Sequence, residues 1–199
     1  MKEPFLEPIL RRLRLRQVAP YVKRYPNCRL LDIGCGWNAT LLRALEPIIQ
    51  SGVGIDFKAP KLRTSKLTTI ESRLDVRLPF ADSSFDFVTM LAVLEHLDRP
   101  IEILNECRRV LRPGGGLLLT VPSTRAKPVL EFLAFRLGIV SRSEIEDHKR
   151  YFDKKDLEDL FHGIAEFSGF SHAYFQAGLN NRVFVVRSAQ AANSGAPKE

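Results

Sequence analysis

Cysteine is scarce in this sequence, with three residues among 199. Cys28, Cys35 and Cys107 are odd in number and scattered, and no two of them form a Cys-x-x-Cys pair. This pattern argues against a disulfide framework and against a structural zinc site. It is typical of a reducing compartment, so we predict a cytoplasmic location.

Long apolar runs are also missing. Residues 129–140, VLEFLAFRLGIV, would be apolar on nearly every side of a helix, but 12 residues are too few to cross a bilayer. A membrane-spanning helix needs about 20. We expect no signal peptide either, because Glu3, Pro4, Glu7 and Pro8 interrupt the first ten residues.

The apolar stretch lies inside residues 123–152, a segment that we predict to be a lid or substrate insertion over an active site. An interfacial helix, a dimer surface and a core helix are the alternatives for residues 129–140. We favour the lid because the predicted sheet already has enough helices to cover it. The oligomeric state stays open.

Clustered metal ligands are the third absence. The four histidines do not show the short, regular spacings of metal ligands: His96, His148, His162 and His172. The sequence therefore predicts no metal site.

Positive charge is concentrated at the start of the chain. The formal net charge is +7, and residues 1–29 contain eight lysines and arginines but two acidic residues. We predict a basic, amphipathic and helical N-terminus over residues 1–27. Its charge could meet anionic lipid headgroups, a nucleic-acid backbone or an acidic substrate, or form a solvated helix face. Peripheral contact with an anionic membrane is our hypothesis.

Strand-like and helix-like segments alternate through most of the chain. Five apolar runs each predict one strand: CRLLDI, SGVGID, LTTIES, SFDFVTML and GLLLTVP. A sixth stretch, HAYFQAGLNNRVFVV, predicts two antiparallel strands joined by an Asn-Asn turn. Helical spacing predicts a helix over residues 5–25, with two short helices broken near Pro20 as the alternative. It also predicts a helix that stops at Pro113. A further helix should begin at the N-cap Asp153 and end around Gly169.

This alternation favours an α/β fold, a Rossmann-like doubly wound and mostly parallel seven-stranded sheet with an antiparallel C-terminal hairpin. We predict one domain over residues 1–187. Residues 188–199 carry almost no apolar side chains, so we expect a disordered tail.

The stretch LLDIGCGWNAT combines a strand with a glycine turn. Gly34 and Gly36 allow the backbone to approach a ligand closely, whereas Asn38 stands where a third alternating glycine is common. We expect Asn38 to tolerate a left-handed conformation. Asp56 ends the next strand 22 residues after Gly34, near the spacing of about 20 for an acid that binds ribose hydroxyls.

The position of Asp32 separates two classes of nucleotide ligand. A carboxylate just before the turn would repel a pyrophosphate, but it suits a ligand that carries an ammonium group. S-adenosylmethionine has both a ribose and an ammonium group. An NAD-dependent oxidoreductase is therefore disfavoured.

Four stretches in order resemble the class I S-adenosylmethionine-dependent methyltransferases, and most closely the small-molecule branch related to quinone biosynthesis: LLDIGCGWNA, GVGIDF, DVRLPFADSSFDFVTMLAVLEHL and EILNECRRVLRPGGGLLLTVP. The resemblance is close over residues 28–122 and looser in DHKRYFDKKDLEDLF. It implies S-adenosylmethionine as cofactor and S-adenosylhomocysteine as product.

The resemblance also implies roles for individual residues. Asp32 and the turn Gly34, Cys35 and Gly36 would receive the methionine end of the cofactor. Asp56 would hold the ribose hydroxyls, with Phe57 against the adenine.

Asp75 would bond the adenine amino group beside the backbone of Val76, with Leu74 as the alternative for that position. Leu91 and Ala92 would border the sulfonium.

The reaction implied is an in-line displacement, in which the protein mainly aligns donor and acceptor. A general base is needed only if the acceptor arrives protonated, as a phenol or alcohol does. His148 is our candidate catalytic base, and a surface or packed histidine is the alternative. We predict methyl transfer to a small, hydrophobic acceptor.

Two other function classes compete with this interpretation. A nucleic-acid methyltransferase is disfavoured because the stretch after the fourth strand reads LAVLEHL, with no Asn/Asp-Pro-Pro-aromatic turn, and no cysteine follows a proline. An RNA substrate is accordingly the least favoured alternative, and we predict no nucleic-acid partner. The other competitor is a non-catalytic protein that binds S-adenosylmethionine as a regulator or partner subunit.

Overall fold

The computed structural model describes residues 7–74, 77–135 and 147–189. A mixed sheet runs through this part of the chain, formed by seven strands: β1 (Arg29–Ile33), β2 (Ser51–Asp56), β3 (Leu67–Glu71), β4 (Phe85–Leu91), β5 (Leu111–Pro122), β6 (Phe167–Phe175) and β7 (Asn180–Arg187). The helices in the described residues are α1 (Glu7–Val22), α2 (Thr40–Leu45), α3 (Pro100–Val110), α4 (Ala126–Phe135) and α5 (Lys154–His162). Short 3₁₀ turns follow α2 and β4, over Glu46–Ile48 and Leu94–His96.

The strand order across the sheet is β3-β2-β1-β4-β5-β7-β6. Strands β1 to β5 are parallel, and β7 runs antiparallel to both of its neighbours, β5 and β6. The prediction of a Rossmann-like, mostly parallel seven-stranded sheet with an antiparallel C-terminal hairpin is confirmed. The chain order reverses between β1 and β4, which is where ligands bind in such sheets.

Apolar side chains pack on both faces of the sheet. In β5, Leu117 and Leu119 belong to the cluster on the face with α3 and α5, while Leu118 belongs to the cluster with α1 and α2. All three side chains are fully buried. Burial on both faces explains why the central strands read as continuous apolar runs.

The N-terminal helix is continuous from Glu7 to Val22, so the alternative of two helices broken near Pro20 is not observed. Pro20 lies in the last turn, where its missing N–H removes a single backbone hydrogen bond. Val18 and Val22 are fully buried, while Arg12 and Arg16 are exposed. The helix thus packs its C-terminal turns against the sheet, and an amphipathic N-terminus stays a prediction.

Helix α5 begins as expected but ends earlier. Asp153 caps it: the Asp153 carboxylate accepts from the backbone N of Asp156 at 3.0 Å, and the Asp156 carboxylate accepts from the backbone N of Asp153 at 2.8 Å. The helix ends at His162 with Gly163 as its C-cap, and the expected end around Gly169 is wrong. Gly169, with φ +66°, lies in a bulge of β6, because residues 167–175 pair with β7 instead of extending the helix.

Two other predicted boundaries are shifted. The hairpin turns over residues 176–179, where Gln176, Ala177 and Gly178 have positive φ, and both asparagines of the expected Asn-Asn turn belong to β7. Helix α3 ends at Val110, before the expected stop at Pro113, because Leu111 already pairs with Phe85 of β4.

No helix in the described part of the chain is long and apolar enough to cross a membrane. Helix α4 starts the predicted lid segment, and residues 136–146 of that segment lie outside the described residues. The expected disordered tail also lies outside them from residue 190 onward.

Candidate functional site

The glycine turn folds back onto the end of β2. The backbone N–H groups of Gly34 and Cys35 both donate to the carbonyl of Ile55, at 2.8 and 3.3 Å. Gly34 has φ +77° and Gly36 has φ +69°, conformations that favour glycine. The turn therefore lies at the carboxyl edge of the sheet, between the ends of β1 and β2.

The two glycines are required for different reasons. A Cβ atom on Gly34 would lie 2.2 Å from Cγ2 of Val93, so the turn after β4 packs directly against Gly34. A Cβ atom on Gly36 would have no atom within 4 Å among the described residues. Gly34 thus serves close packing, while Gly36 faces open space in which a ligand could lie.

Asp56 links the glycine turn to the end of β2. Its Oδ2 accepts from the backbone N of Gly36 at 2.9 Å, and its Oδ1 accepts from the backbone N of Lys58 at 2.8 Å. The side chain is buried at the edge of the sheet. Because each carboxylate oxygen can accept more than one hydrogen bond, Asp56 keeps acceptor capacity for a ligand.

Asp32 lies beneath the turn with 2% of its surface exposed. The Thr89 hydroxyl of β4 donates to its carboxylate at 2.7 Å. Burial raises the pKa of Asp32 to about 7, the Thr89 hydrogen bond opposes this rise, and the charge of Asp56 adds to it. A cation beside Asp32 would favour its ionised form.

The end of the glycine turn differs from the expectation for Asn38. Ala39, with φ +46°, takes the left-handed conformation just before α2, and Asn38 is not among the residues with positive φ. The Asn38 carbonyl accepts from the Arg43 side chain at 3.0 Å. Ala39 is fully buried, where its small side chain fits the packed space between helix and sheet.

Two exposed aromatic rings flank the turn. Phe57 follows Asp56 and is 56% exposed, with the Lys58 ammonium 4.9 Å from the centre of its ring. Trp37, next to Gly36, is 57% exposed. The sequence motifs indicated Phe57 but not Trp37. The single tryptophan of the chain, next to a glycine turn, could itself have been taken as a candidate ligand contact.

Leu91 and Ala92 lie where β4 leaves the sheet. Both side chains are half-buried, and Ala92 has φ +55°. The Ala92 N–H donates to the carbonyl of Thr120 at the end of β5, at 2.9 Å. These contacts hold the turn after β4 beside the glycine turn.

Residues 147–152, which we name the His148 strap, lie on the turn after β4. The backbone N of Lys149 donates to the Glu95 carbonyl at 2.9 Å, and its ammonium pairs with Asp98 at 2.5 Å. Nδ1 of His96 is 2.9 Å from the carboxylate of Asp147. The structure thus brings His148 to the carboxyl edge of the sheet from a segment 50 residues further along.

His148 is half-buried in the strap. Its Nδ1 is 3.2 Å from the Tyr151 hydroxyl, and its ring centre is 4.9 Å from that of His96. Burial is the main cause that lowers the pKa of His148 to about 4, and the neighbouring His96 lowers it further. The imidazole is therefore neutral near pH 7, the form in which it can accept a proton.

The strap also assembles a group of side chains that the spacing of the histidines did not indicate. Ligand-type atoms of Glu95, His96 and His148 lie within 4.8 Å of one another, a group that could hold a metal ion. The spacing of the histidines could not indicate this proximity, because His148 reaches its neighbours through the fold.

The predicted adenine contacts are not tested by the structure. Asp75 and Val76 lie outside the described residues. Leu74, the alternative for that position, is half-buried and packs against the core beside β4.

Comparisons with known proteins agree with this arrangement. Residues 31–119 match a family model described as a methyltransferase domain. A ubiquinone biosynthesis O-methyltransferase from Xanthomonas campestris is 32% identical over 143 residues, which cover 67% of this chain and 56% of that protein. A demethylmenaquinone methyltransferase from Lactiplantibacillus plantarum is 28% identical over 184 residues, covering 83% and 76%.

A solved structure shows the same fold. The crystal structure of a SAM-dependent methyltransferase from Archaeoglobus fulgidus superposes with a TM-score of 0.65 at 19% identity, covering 89% of this chain and 93% of that one. At this identity the likeness concerns the fold alone.

The chain thus resembles the class I S-adenosylmethionine-dependent methyltransferases in both sequence and fold. The predicted resemblance to this family, including its quinone-biosynthesis members, is confirmed. This resemblance implies S-adenosylmethionine as the cofactor. The chain spans about half the length of the first curated relatives that it matches.

The close approach of Gly34 and Val93 gives a testable prediction. We expect Gly34→Ala to lower the free energy of unfolding by about 2–4 kcal/mol. The alanine would be forced into the left-handed conformation, and its Cβ would also overpack against Val93. Gly36→Ala should lower the free energy of unfolding by about 1–2 kcal/mol, because only the left-handed backbone conformation is unfavourable there. Urea unfolding measures both.

A double variant provides the control. Val93→Ala should partly restore the stability of Gly34→Ala and should not rescue Gly36→Ala. Equal destabilisation by the two glycine substitutions would contradict the packing role of Gly34.

Proposed function

We propose that the protein is an S-adenosylmethionine-dependent methyltransferase that acts on a small, hydrophobic acceptor of the quinol type. The observation that carries this proposal is the glycine turn at the sheet's carboxyl edge, open at Gly36 and lying between the carboxylates of Asp32 and Asp56. Such an edge offers backbone access, a site for a cation and hydrogen-bond acceptors for a ribose. This combination fits S-adenosylmethionine.

Each part of the edge would hold a different part of the cofactor. The turn Gly34, Cys35 and Gly36 would receive the methionine end, with the Asp32 carboxylate beneath it. The free acceptor capacity of Asp56 would serve the ribose hydroxyls. The exposed ring of Phe57 offers a flat apolar surface for the adenine.

The remaining cofactor contacts follow the same edge. Leu91 and Ala92 would border the sulfonium, since their turn packs against Gly34 through Val93. Asp75 and Val76 are proposed for the adenine amino group from the sequence motif.

When bound, the cofactor supplies the electrophilic methyl group. The chain's own task is to orient the acceptor and to exclude water at this edge. A phenolic acceptor must also lose a proton, and we assign its acceptance to the neutral imidazole of His148. Nδ1 of His148 lies 3.2 Å from the Tyr151 hydroxyl. For Nε2 to accept the proton, Nδ1 must carry the ring hydrogen and donate it to Tyr151.

The hydrophobic character of the acceptor is supported by α4. This helix follows β5 at the same edge and exposes Phe132 by 56% and Val129 by 37%. The two quinone-biosynthesis relatives add support from sequence. We propose that α4 and the segment after it cover the acceptor as a lid.

The same edge also supports peripheral contact with an anionic membrane. Arg12 and Arg16 are exposed on α1, and Gln17 of this helix accepts from Arg182 of β7 at 2.6 Å. Because Arg182 pairs with Thr120 near the end of β5, the start of α1 points toward the carboxyl edge. Basic residues there would bring the site toward acceptors dissolved in the bilayer.

The first test is calorimetric titration with S-adenosylhomocysteine, S-adenosylmethionine and NAD. We expect micromolar binding of the two sulfur ligands and none of NAD. Asp56→Ala should weaken that binding by at least about tenfold, because it removes a charged acceptor worth about 1.5–3 kcal/mol. Asp159→Ala, at an exposed position on α5, is the matched control and should leave it unchanged.

Methyl turnover then separates an enzyme from a non-catalytic binding protein. Transfer of labelled methyl to quinols, lost in His148→Gln while S-adenosylhomocysteine still binds, would support the enzyme with its proposed base. Binding without turnover on any quinol or phenol would favour the regulatory alternative. If neither sulfur ligand binds, the proposed function is wrong.

The raised pKa of Asp32 predicts a pH dependence of binding. An ammonium group binds the ionised carboxylate, and Asp32 is mostly protonated below its pKa of about 7. Affinity for S-adenosylhomocysteine should therefore rise roughly five- to tenfold between pH 6 and pH 7.5 and then level off. Asp32→Asn should bind more weakly with no such rise, and a steep rise in that variant would contradict the assignment.

Membrane contact has its own test by vesicle sedimentation. We expect binding to phosphatidylcholine vesicles only when phosphatidylglycerol is included, with release at high salt. Arg12→Gln/Arg16→Gln should weaken the binding by roughly tenfold or more, at about 1 kcal/mol per basic residue. The control Lys61→Gln/Lys155→Gln removes the same charge from other exposed positions, and equal weakening there would count against a defined surface.

A further inference from the structure

The His148 strap is held at its second end by the C-terminal hairpin. Phe152 forms an isolated bridge with Ser123, and its N–H donates to the Pro122 carbonyl at 3.4 Å. The Phe152 carbonyl accepts from the side-chain amide of Asn181, in β7, at 2.9 Å. The strap therefore bridges the turn after β4 and the hairpin.

Asn181 is fully buried, and both ends of its side chain are used. Nδ2 donates to the strap, and Oδ1 accepts from Nε2 of His172, on β6, at 2.8 Å. A carbonyl such as that of Phe152 can only accept, so the orientation of the amide follows from its partners. His172 must then carry its proton on Nε2, and it can donate whether neutral or charged.

The backbone register places this amide at the edge that contains the site. Asn181 pairs with Val121 near the end of β5 and with Tyr174 on β6. Its neighbour Asn180 pairs with Pro122, the last residue of β5. The side chain of Asn180 donates instead to Gln176 in the hairpin turn, at 2.5 Å. Only one of these two adjacent asparagines therefore contacts the strap.

We propose that Asn181, oriented by His172, is a positioning residue that holds the His148 strap against the acceptor side of the site. The catalytic part of this assignment rests on the proposed function, but the placement of the strap does not. Loss of the amide would remove the partner of the Phe152 carbonyl. Because the Phe152 ring is itself buried in the core, we expect the strap to loosen locally and the protein to stay folded.

The test compares Asn181→Leu with Asn180→Leu, using NMR of the protein without ligand. Hydrogen exchange reports strap docking, because the N–H groups of Lys149 and Phe152 donate to the Glu95 and Pro122 carbonyls. In Asn181→Leu we expect these two hydrogen bonds to open more often. Exchange of the Lys149 and Phe152 amides should accelerate at least roughly tenfold, while that of Leu118 in the centre of β5 should not. Asn180→Leu should change none of these.

A second variant covers the case in which Asn181→Leu does not fold. His172→Phe removes the side chain that donates to the Asn181 amide oxygen, at a half-buried position. It should accelerate exchange of the Lys149 and Phe152 amides by a smaller factor. Unchanged exchange of both amides in the folded variants would overturn the proposal. Equal acceleration at Leu118 would also overturn it, since Asn181 would then act through global stability.

The outcome is separable from that of the proposed function. A protein that binds no S-adenosylhomocysteine can still show the faster exchange of the Lys149 and Phe152 amides, and then only the methyltransferase assignment fails. If turnover is established, Asn181→Leu should lower kcat at least about tenfold and leave the Kd for S-adenosylhomocysteine within about twofold. A loss of cofactor affinity equal to the loss of kcat would overturn the positioning role.

Discussion

The site depends on the way in which the glycine turn folds back onto the end of β2. Gly34 and Cys35 donate to the Ile55 carbonyl, and Gly36 donates to the Asp56 carboxylate. These bonds hold the turn open on the side of Gly36 and pressed against Val93 on the side of Gly34. A ligand at this edge would therefore meet backbone held by β1, β2 and the turn after β4 together.

Electrostatics divides the edge into two halves. On the side proposed for the cofactor, Asp32 is buried so deeply that its pKa rises to about 7. On the side proposed for the acceptor, burial and a neighbouring imidazole lower the pKa of His148 to about 4. Burial thus favours the neutral form of both groups, because the charged form loses its hydration.

Local chemistry explains which features could be predicted from the sequence. The strands are apolar runs, the glycines and acids stand at their ends, and Asp153 is a good helix cap, so each follows from a short stretch of residues. Boundaries that depend on pairing were less accurate. The predicted helix continued to about Gly169, but residues 167–175 pair with β7, and the bulge at Gly169 accommodates the pairing.

The sequence by itself determined the α/β class, through the alternation of apolar strands and helices along the chain. It also determined the glycine turn and the acids Asp32 and Asp56, since each lies at or near the end of a recognisable strand. Only the tertiary structure decided that His148 lies beside His96, and that Asn181 reaches the strap while Asn180 does not. The physical reason is distance along the chain. Contacts between residues tens of positions apart depend on sheet order and register, which no local pattern records.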